Sequence, residues 1–264
     1  MIPVIAMITD FGYRDPFAAI MKGVIRNLGC TAEIIDVTHE INAGDIKSAA
    51  IALSMSYRYF PDETIFLVVI DPGVGTNRRP IAVTAGRKLI VCPDNGIVSF
   101  VINDYPDWSA VHLDRPEFFL PKISSTFHGR DIFAPVTARL SMGTPVADLG
   151  TQISDIASIN IPVATAGERH IQGEVIYIDG FGNLITNISE SIVADWANDS
   201  KTSDFKIHTG SIEIIGISRS FSDVSKNRPL TVFGSFGMLE VAVNGGSAAA
   251  LAGSSIGAKV LLYK

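Results

Sequence analysis

The sequence predicts an α/β N-terminal domain with a mostly parallel central sheet over residues 1–150. It also predicts a smaller β-rich, barrel-like C-terminal domain over residues 169–264, with a linker at 151–168. Three observations lead there. Up to residue 150, Ile- and Val-rich runs alternate with helix-period runs; the stretch "TQISDIASINIPVATAGERH" then turns small, polar and Pro-containing; beyond it, short alternating runs are cut by Gly and Asn.

The elements follow in order. Val4–Ile8, Glu33–Val37, Ile65–Ile70, Ile81–Thr84 and Leu89–Val91 read as strands apolar on both faces, as strands covered by helices on each side are. Between the first two, "DPFAAIMKGVIRNLG" places Phe17, Ile20, Met21, Val24, Ile25 and Leu28 on one stripe. Asp15 is its expected N-cap, Pro16 its first residue and Gly29 its stop, which makes a βαβ unit. A second helix is expected from Asp45 to Tyr59. A third is expected from Gly129 to Met142, with Pro135 ending or kinking its first turn. After the linker, "GEVIYIDGFGNLITNIS", "FKIHTGSIEIIGIS", "PLTVFGSFGMLEVAVN" and "AKVLLYK" read as the strands of the β-rich domain.

Composition excludes several function classes. The 264 residues are 47% hydrophobic, ample for the core of one or two domains. A net charge of −6, with no Lys/Arg run above two residues, argues against a nucleic-acid partner, which needs a clustered basic face. The opening apolar run stops at Ile8, too short for a membrane span or a signal sequence, so no membrane partner is expected. Cys30 and Cys92 are far apart without metal-type spacing, which fits reduced thiols in a cytoplasmic protein. His39, His112, His170 and His208 show no metal-ligand spacing either, and no metal is expected.

In an open α/β sheet, ligands gather at the carboxyl ends of the strands. Asp10 in "MITDFGYRD" and Asp71 in "VVIDPGVG" fall at such ends. Each has a structural alternative: Asp10 as a turn stabiliser before the first helix, Asp71 as the opener of a Pro-Gly turn with a salt bridge to an arginine across its mouth. His128 in "SSTFHGRDIFAP" precedes a helix start and is open to a structural or a catalytic reading. No Gly-x-x-x-x-Gly-Lys loop or Gly-x-Gly-x-x-Gly fingerprint is present, so a dinucleotide site is poorly supported.

The motifs "TDFGYRDPF", "DVTHEI", "VVIDPGVGTNRRPIAV", "CPDNG", "TFHGRDIFAP", "DGFGNLITN" and "FGSFGMLEVAVNGGSA" occur in the order seen in the S-adenosylmethionine (SAM) hydroxide adenosyltransferases. The chain resembles that family, relatives of the fluorinase and chlorinase, over essentially its whole length. The resemblance implies a hydrolase that splits SAM into adenosine and L-methionine by attack of water at C5', with SAM as substrate and no cofactor. It further implies that Asp71, Arg78 and His128 position and activate water, that Asp10 grips the ribose hydroxyls, and that Asp15 and Asp179 lie near the methionine amine. Asn183 matches an adenine-binding amide, Ser235 a methionine-carboxylate contact, and Val243 to Gly245 a backbone segment beside adenine. Phe181 offers its ring to the ligand, and Glu240 falls in the same loop without a defined role. Family members resembling this chain are homotrimers with the site between one subunit's N-terminal domain and its neighbour's C-terminal domain.

The departures also inform. The halide-using relatives carry tyrosine where Asp71 stands, and the fluorinase has serine at the position of Gly129 and tryptophan at that of Gly44. A carboxylate repels an anion but can hold a neutral water, which favours water as nucleophile. Asp71 and His128 are both candidate proton acceptors at this level. An adenosyl-halide synthase and a non-catalytic adenosine- or SAM-binding module are the alternative readings.

Overall fold

A computed structural model describes residues 3–197 and 204–264. The chain divides into two units, residues 1–160 and 161–264. In the first, β1 (Val4–Thr9), α1 (Phe17–Asn27), β2 (Glu33–Thr38), α2 (Ile46–Tyr57), β3 (Ile65–Val69), β4 (Pro80–Ala85), β5 (Lys88–Pro93), α3 (Ser99–Asp104), β6 (Ser109–His112), α4 (Ala134–Ser141) and β7 (Thr151–Ile153) follow one another. One sheet runs β2-β1-β3-β5-β4-β6-β7. The β2-β1-β3-β5 half is parallel, as expected, whereas β5-β4, β4-β6 and β6-β7 pair antiparallel, so the sheet is mixed. The cause is local: Ala85 pairs Lys88 across the two-residue turn Gly86-Arg87, with Gly86 at φ +56°, and so short a link cannot carry a parallel crossover.

Alternation along β1 and β3 feeds a core on each face. Ile5, Met7, Leu67 and Val69 pack with α1 and α4, while Ala6, Ile8, Phe66 and Val68 pack with α2 and α3. Each fully buried Ile, Leu or Phe contributes about 1.5–3 kcal/mol. Helix α1 starts one residue later than expected, with Pro16 at its N-cap and no side-chain cap, so Asp15 does not cap it. Asp45 does cap α2, accepting from the Ser48 N–H at 3.0 Å. Ahead of α4, Gly129–Phe133 forms one π-helical turn. Pro135 has no N–H for the Asp131 carbonyl, and that carbonyl is taken instead by the Leu120 N–H at 2.9 Å. Of the stretch expected as a linker, Thr151–Ile153 is the edge strand β7, which pairs with β6.

In the second unit, β8 (Thr165–Ala166), β9 (His170–Ile178), β10 (Leu184–Ser189), α5 (Glu190–Ala197), β11 (Lys206–Thr209), β12 (Ile212–Ile215), β13 (Pro229–Phe233), β14 (Met238–Val243), α6 (Ala248–Ala252) and β15 (Lys259–Tyr263) build one antiparallel sheet, ordered β12-β11-β15-β9-β10-β14-β13 with β8 beside β9. The sheet nearly closes: just past β12, the Ser218 N–H donates to the Thr231 carbonyl on β13 at 2.8 Å. Its interior is filled by Ile171, Leu184, Leu239, Val241, Val260 and Leu262.

Candidate functional site

Parallel register brings the first acids together. Thr9 on β1 pairs with Val69 on β3, so Asp10 and Asp71 leave the carboxyl ends of adjacent strands side by side. Asp10 Oδ2 accepts from the Gly44 N–H at 2.8 Å. Burial pushes its carboxyl above the usual range, the Gly44 hydrogen bond opposes this, and the Asp71 charge adds to the rise. The Asn95 side-chain amide holds the end of the neighbouring strand by donating to the Ile70 carbonyl at 2.9 Å.

The turn after Asp71 folds back on itself. Val74 N–H donates to the Asp71 carbonyl at 3.1 Å and Thr76 Oγ1 to the Gly73 carbonyl at 2.7 Å. Arg78 thereby returns to Asp71, donating from Nε to Oδ1 at 2.8 Å and from Nη2 to Oδ2. Both side chains are nearly buried, at 7% exposure for Asp71 and 9% for Arg78, so each charge depends on the other. The guanidinium also lies over the Phe133 ring at 5.1 Å. Glycine is required in this turn: a Cβ on Gly75, whose φ is +76°, would stand 2.4 Å from the Ser125 carbonyl oxygen. That close approach locks the turn against the segment leading to His128.

His128 opens the π turn and receives Arg78 Nη2 at Nδ1, 2.9 Å away. A guanidinium only donates, so Nδ1 accepts and the ring proton of the neutral imidazole sits on Nε2. Burial lowers the affinity of His128 for a second proton, and the Arg78 charge lowers it further. Asp131, fully buried, fastens the same segment by accepting from the Ser124 N–H at 2.7 Å and from Arg130 Nε at 2.5 Å. Asp131 is not singled out by the sequence. Its spacing of seven residues from Ser124 crosses an irregular loop that periodicity does not read.

Asp10, Gly44, Asp71, Thr126, His128 and Gly129 share the lining of one cleft of about 450 Å³. Gly129 is tightly enclosed: a Cβ there would come within 3.0 Å of Met21 Sδ and 3.1 Å of the Phe127 ring. Asp15 is exposed and borders a different hollow, with Tyr13, Arg14 and Lys22. The structure does not bring it into the cleft with Asp71.

The second unit gathers the other candidates. Asp179 follows β9 and closes a tight loop, its Oδ1 accepting from the Phe181 and Asn183 N–H groups, both at 2.9 Å, and its Oδ2 from Asn183 Nδ2 at 2.8 Å. The buried Asn183 amide is thus fixed in orientation, with Oδ1 left to accept. Phe181 is 82% exposed, an apolar side chain held at the surface of this unit. Phe181, Asn183, Val243 and Gly245 line a hollow of about 490 Å³, joined by Phe221 and Asn244. Phe221 was missed by sequence reasoning, although a lone aromatic in the polar run "SRSFSD" was a signal. Ser235 lies in the β13–β14 turn, outside that lining. Glu240 on β14 is buried, its carboxyl raised by burial and by the Asp179 charge. Its carboxylate occupies the space that a side chain at Gly234 would need.

Comparison with known proteins gives the geometry its context. Residues 5–150 match the SAM hydroxide adenosyltransferase N-terminal domain, and residues 173–261 match the C-terminal domain of the same family. This chain belongs to the SAM hydroxide adenosyltransferase family. It is 36% identical over 252 residues to an (R)-S-adenosyl-L-methionine hydrolase of Salinispora arenicola, covering 94% of this chain and 93% of that one. A relative of the same description from Thermus thermophilus is 35% identical, covering 97% of both chains. The crystal structure of an uncharacterized conserved protein from Thermotoga maritima superposes with a TM-score of 0.92 at 33% identity, over 98% of this chain and 100% of that one. Among the described residues of this family member there is no cluster of metal-ligating side chains, and no helix long and apolar enough to cross a membrane.

Proposed function

We propose that this family member hydrolyses SAM by attack of water on C5', releasing adenosine and L-methionine. The sulfonium makes methionine a neutral thioether leaving group, so the electron pair of the C5'–S bond departs without an acid. The nucleophile is what needs help: water becomes acidic as its oxygen bonds to C5', and its proton must go to a base. The observation that carries this reading is that Asp71 and His128, joined through Arg78, both line the cleft that also holds Asp10.

Of the two candidate acceptors, the hydrogen bonding favours Asp71. His128 Nδ1 is committed to Arg78 and Nε2 carries the proton, which leaves no free lone pair on the ring. Each Asp71 oxygen keeps a second lone pair beyond its bond to Arg78. His128 then orients Arg78, Arg78 orients Asp71, and Asp71 takes the proton. Asp10 receives the ribose hydroxyls. The adenine rests against Phe181, Asn183 and the Val243–Gly245 segment, with Asp179 and Ser235 around the amino-acid moiety. These two residue sets come, in this reading, from neighbouring subunits of a homotrimer in the cytoplasm.

A halide nucleophile is disfavoured by the Asp71 carboxylate and by the enclosure of Gly129, where a serine would press on Met21 and Phe127. Incubation with SAM in molar chloride and ¹⁸O-labelled water tests the proposal. Adenosine with the label in its 5'-hydroxyl is expected. A 5'-chloro nucleoside, or adenosine without the label, would overturn it.

A further inference from the structure

We infer that His39, fully buried behind the cleft, is a positioning residue that sets where Asp10 presents its carboxylate. The inference rests on the reading of Asp10 as the group that holds the ribose. Asp10 belongs to a short turn between β1 and α1, and a turn of that kind fixes a carboxylate only as well as its own backbone is fixed. His39 holds that turn twice. Its carbonyl accepts from the Gly12 N–H at 2.7 Å, and its Nδ1 lies 2.7 Å from Thr9 Oγ1. Thr9 and His39 are both 0% exposed, so neither group exchanges its partner for water.

The direction of the side-chain bond follows from the other ring nitrogen. His39 Nε2 stands 3.1 Å from Asp36 Oδ1, off the line of a full hydrogen bond but close enough for the carboxylate to keep the proton on that side. Nδ1 is left to accept from the Thr9 hydroxyl. Asp36 is itself anchored by Lys22 of α1, whose Nζ donates to Oδ2 at 2.6 Å. Thr9 Oγ1 in turn accepts from the Phe11 N–H at 3.4 Å, so the residues on each side of Asp10 are tied to one buried ring. The opposite flank is closed by Gly44, whose N–H reaches Asp10 Oδ2. Gly44 and His39 lie on the same connection between β2 and α2, so that connection grips Asp10 from the side chain and from behind. The edge of the Tyr13 ring against His39, at 5.1 Å, extends the contact along the turn.

Two pairs of substitutions test this. His39→Gln moves the polar end to the Nε2 position and abandons Thr9, whereas His39→Asn puts an oxygen close to where Nδ1 stood. Thr9→Val removes the hydroxyl at constant shape, whereas Thr9→Ser keeps it. Adenosine affinity by calorimetry is expected to fall about 10-fold in His39→Gln and in Thr9→Val, with most of it recovered in His39→Asn and Thr9→Ser. The single-turnover rate at saturating SAM should stay within about threefold, which separates misplaced binding from a general loss of structure. Combined with Asp10→Ala, either damaging substitution should add little further loss, because the group it positions is gone. Wild-type affinity in His39→Gln and Thr9→Val, or a loss that persists in full on top of Asp10→Ala, overturns the inference while the role of Asp10 stands. An Asp10→Ala protein that binds adenosine normally overturns the role of Asp10 and this inference with it.

Discussion

At the scale of single residues, Asp10 and Asp71 stand side by side at neighbouring strand ends yet face different partners, and their substitutions should fail differently. Asp71→Asn keeps shape and removes the charge that, in the proposed mechanism, draws a proton from water, so turnover should fall by roughly 10²- to 10⁴-fold with adenosine affinity retained. Asp10→Ala should weaken adenosine binding by about 1.5–3 kcal/mol, as a charge-assisted bond is lost. Calorimetry and single-turnover kinetics read the two effects separately; an Asp71→Asn protein that loses binding but keeps its rate would make Asp71 a ligand clamp. Arg78→Ala is a harsher change, since it strands a carboxylate only 7% exposed and should cost about 3–5 kcal/mol of stability as well. The two acidity shifts give a second, independent reading. His128 is depressed below its ordinary 6.5, so it stays neutral on acidification past that value and protonates only further down, when Nδ1 can no longer accept from Arg78. The maximal rate should therefore show an acid limb below pH 6.5, and His128→Asn, which keeps an acceptor that does not titrate, should abolish it. The same shift makes folding stability fall as pH drops below 6.5 toward the folded-state value, where the unfolded chain binds a proton and the native one does not. Asp10 is raised above 3.8, so adenosine affinity should begin to fall at a higher pH than an ordinary aspartate would give. The Asp71–Arg78 pairing was legible in "DPGVGTNRR" because a tight turn links the two. The bond from His128 to Arg78 was not, since it spans fifty residues and exists only once α4 has packed.

At the scale of elements, the site depends on how closely two loops approach. Gly75 has to admit the Ser125 carbonyl, and its backbone has to lie in the left-handed region. Gly75→Ala combines a 2.4 Å contact with that strain and should cost about 1–3 kcal/mol and most of the activity, because the turn carrying Arg78 must shift. Gly143→Ala is the matched control: its φ of +96° brings the strain, but nothing lies within 4 Å, so stability should drop while turnover holds. Equal activity in the two variants, measured alongside thermal unfolding, would remove the turn from the mechanism. The same paragraph of chain shows where pattern reading stops. Helices α1 and α2 were legible from their stripes and stops, and Asp45 was legible as the residue that begins α2. Asp15 failed as a cap because the chain enters α1 through Pro16, with the Ile20 N–H bonded to the Pro16 carbonyl at 2.8 Å. Pro135 was expected to end or kink the helix. The helix instead runs on from the π turn into α4 with Pro135 in the first turn of α4, and the Asp131 carbonyl is taken by the distant Leu120 N–H, which no local pattern shows. Strands β6 and β7 were missed because they are short, and β7, an edge strand, carries the exposed polar pair Thr151 and Gln152.

At the scale of the whole molecule, the residues proposed for catalysis and those proposed to hold adenine lie in different units of the chain, and the proposed homotrimer assigns each complete site to two subunits. That assignment has an arithmetic consequence. If Asp71→Ala and Asn183→Ala subunits are dissociated, mixed in equal amounts and reassembled, a site is intact only when its first unit comes from the Asn183→Ala chain and its second from the Asp71→Ala chain. Random mixing makes that about one site in four, so activity should return to roughly a quarter of the wild-type value at subsaturating SAM, from two preparations each nearly inactive. A site built within one chain predicts no recovery at all, since every chain in the mixture carries a lesion. The exposed Phe181 ring adds a physical reason to expect the first outcome, because an aromatic 82% exposed beside a fixed Asn183 amide is poorly used unless something covers it. Light scattering must show an oligomer at the assay concentration for the scheme to hold, and a monomer that is fully active there would place both residue sets in one chain. The Phe181→Ala subunit makes the test sharper. Mixed with Asp71→Ala it should restore activity as Asn183→Ala does, while mixed with Asn183→Ala it should restore none, because those two lesions fall in the same half of every site.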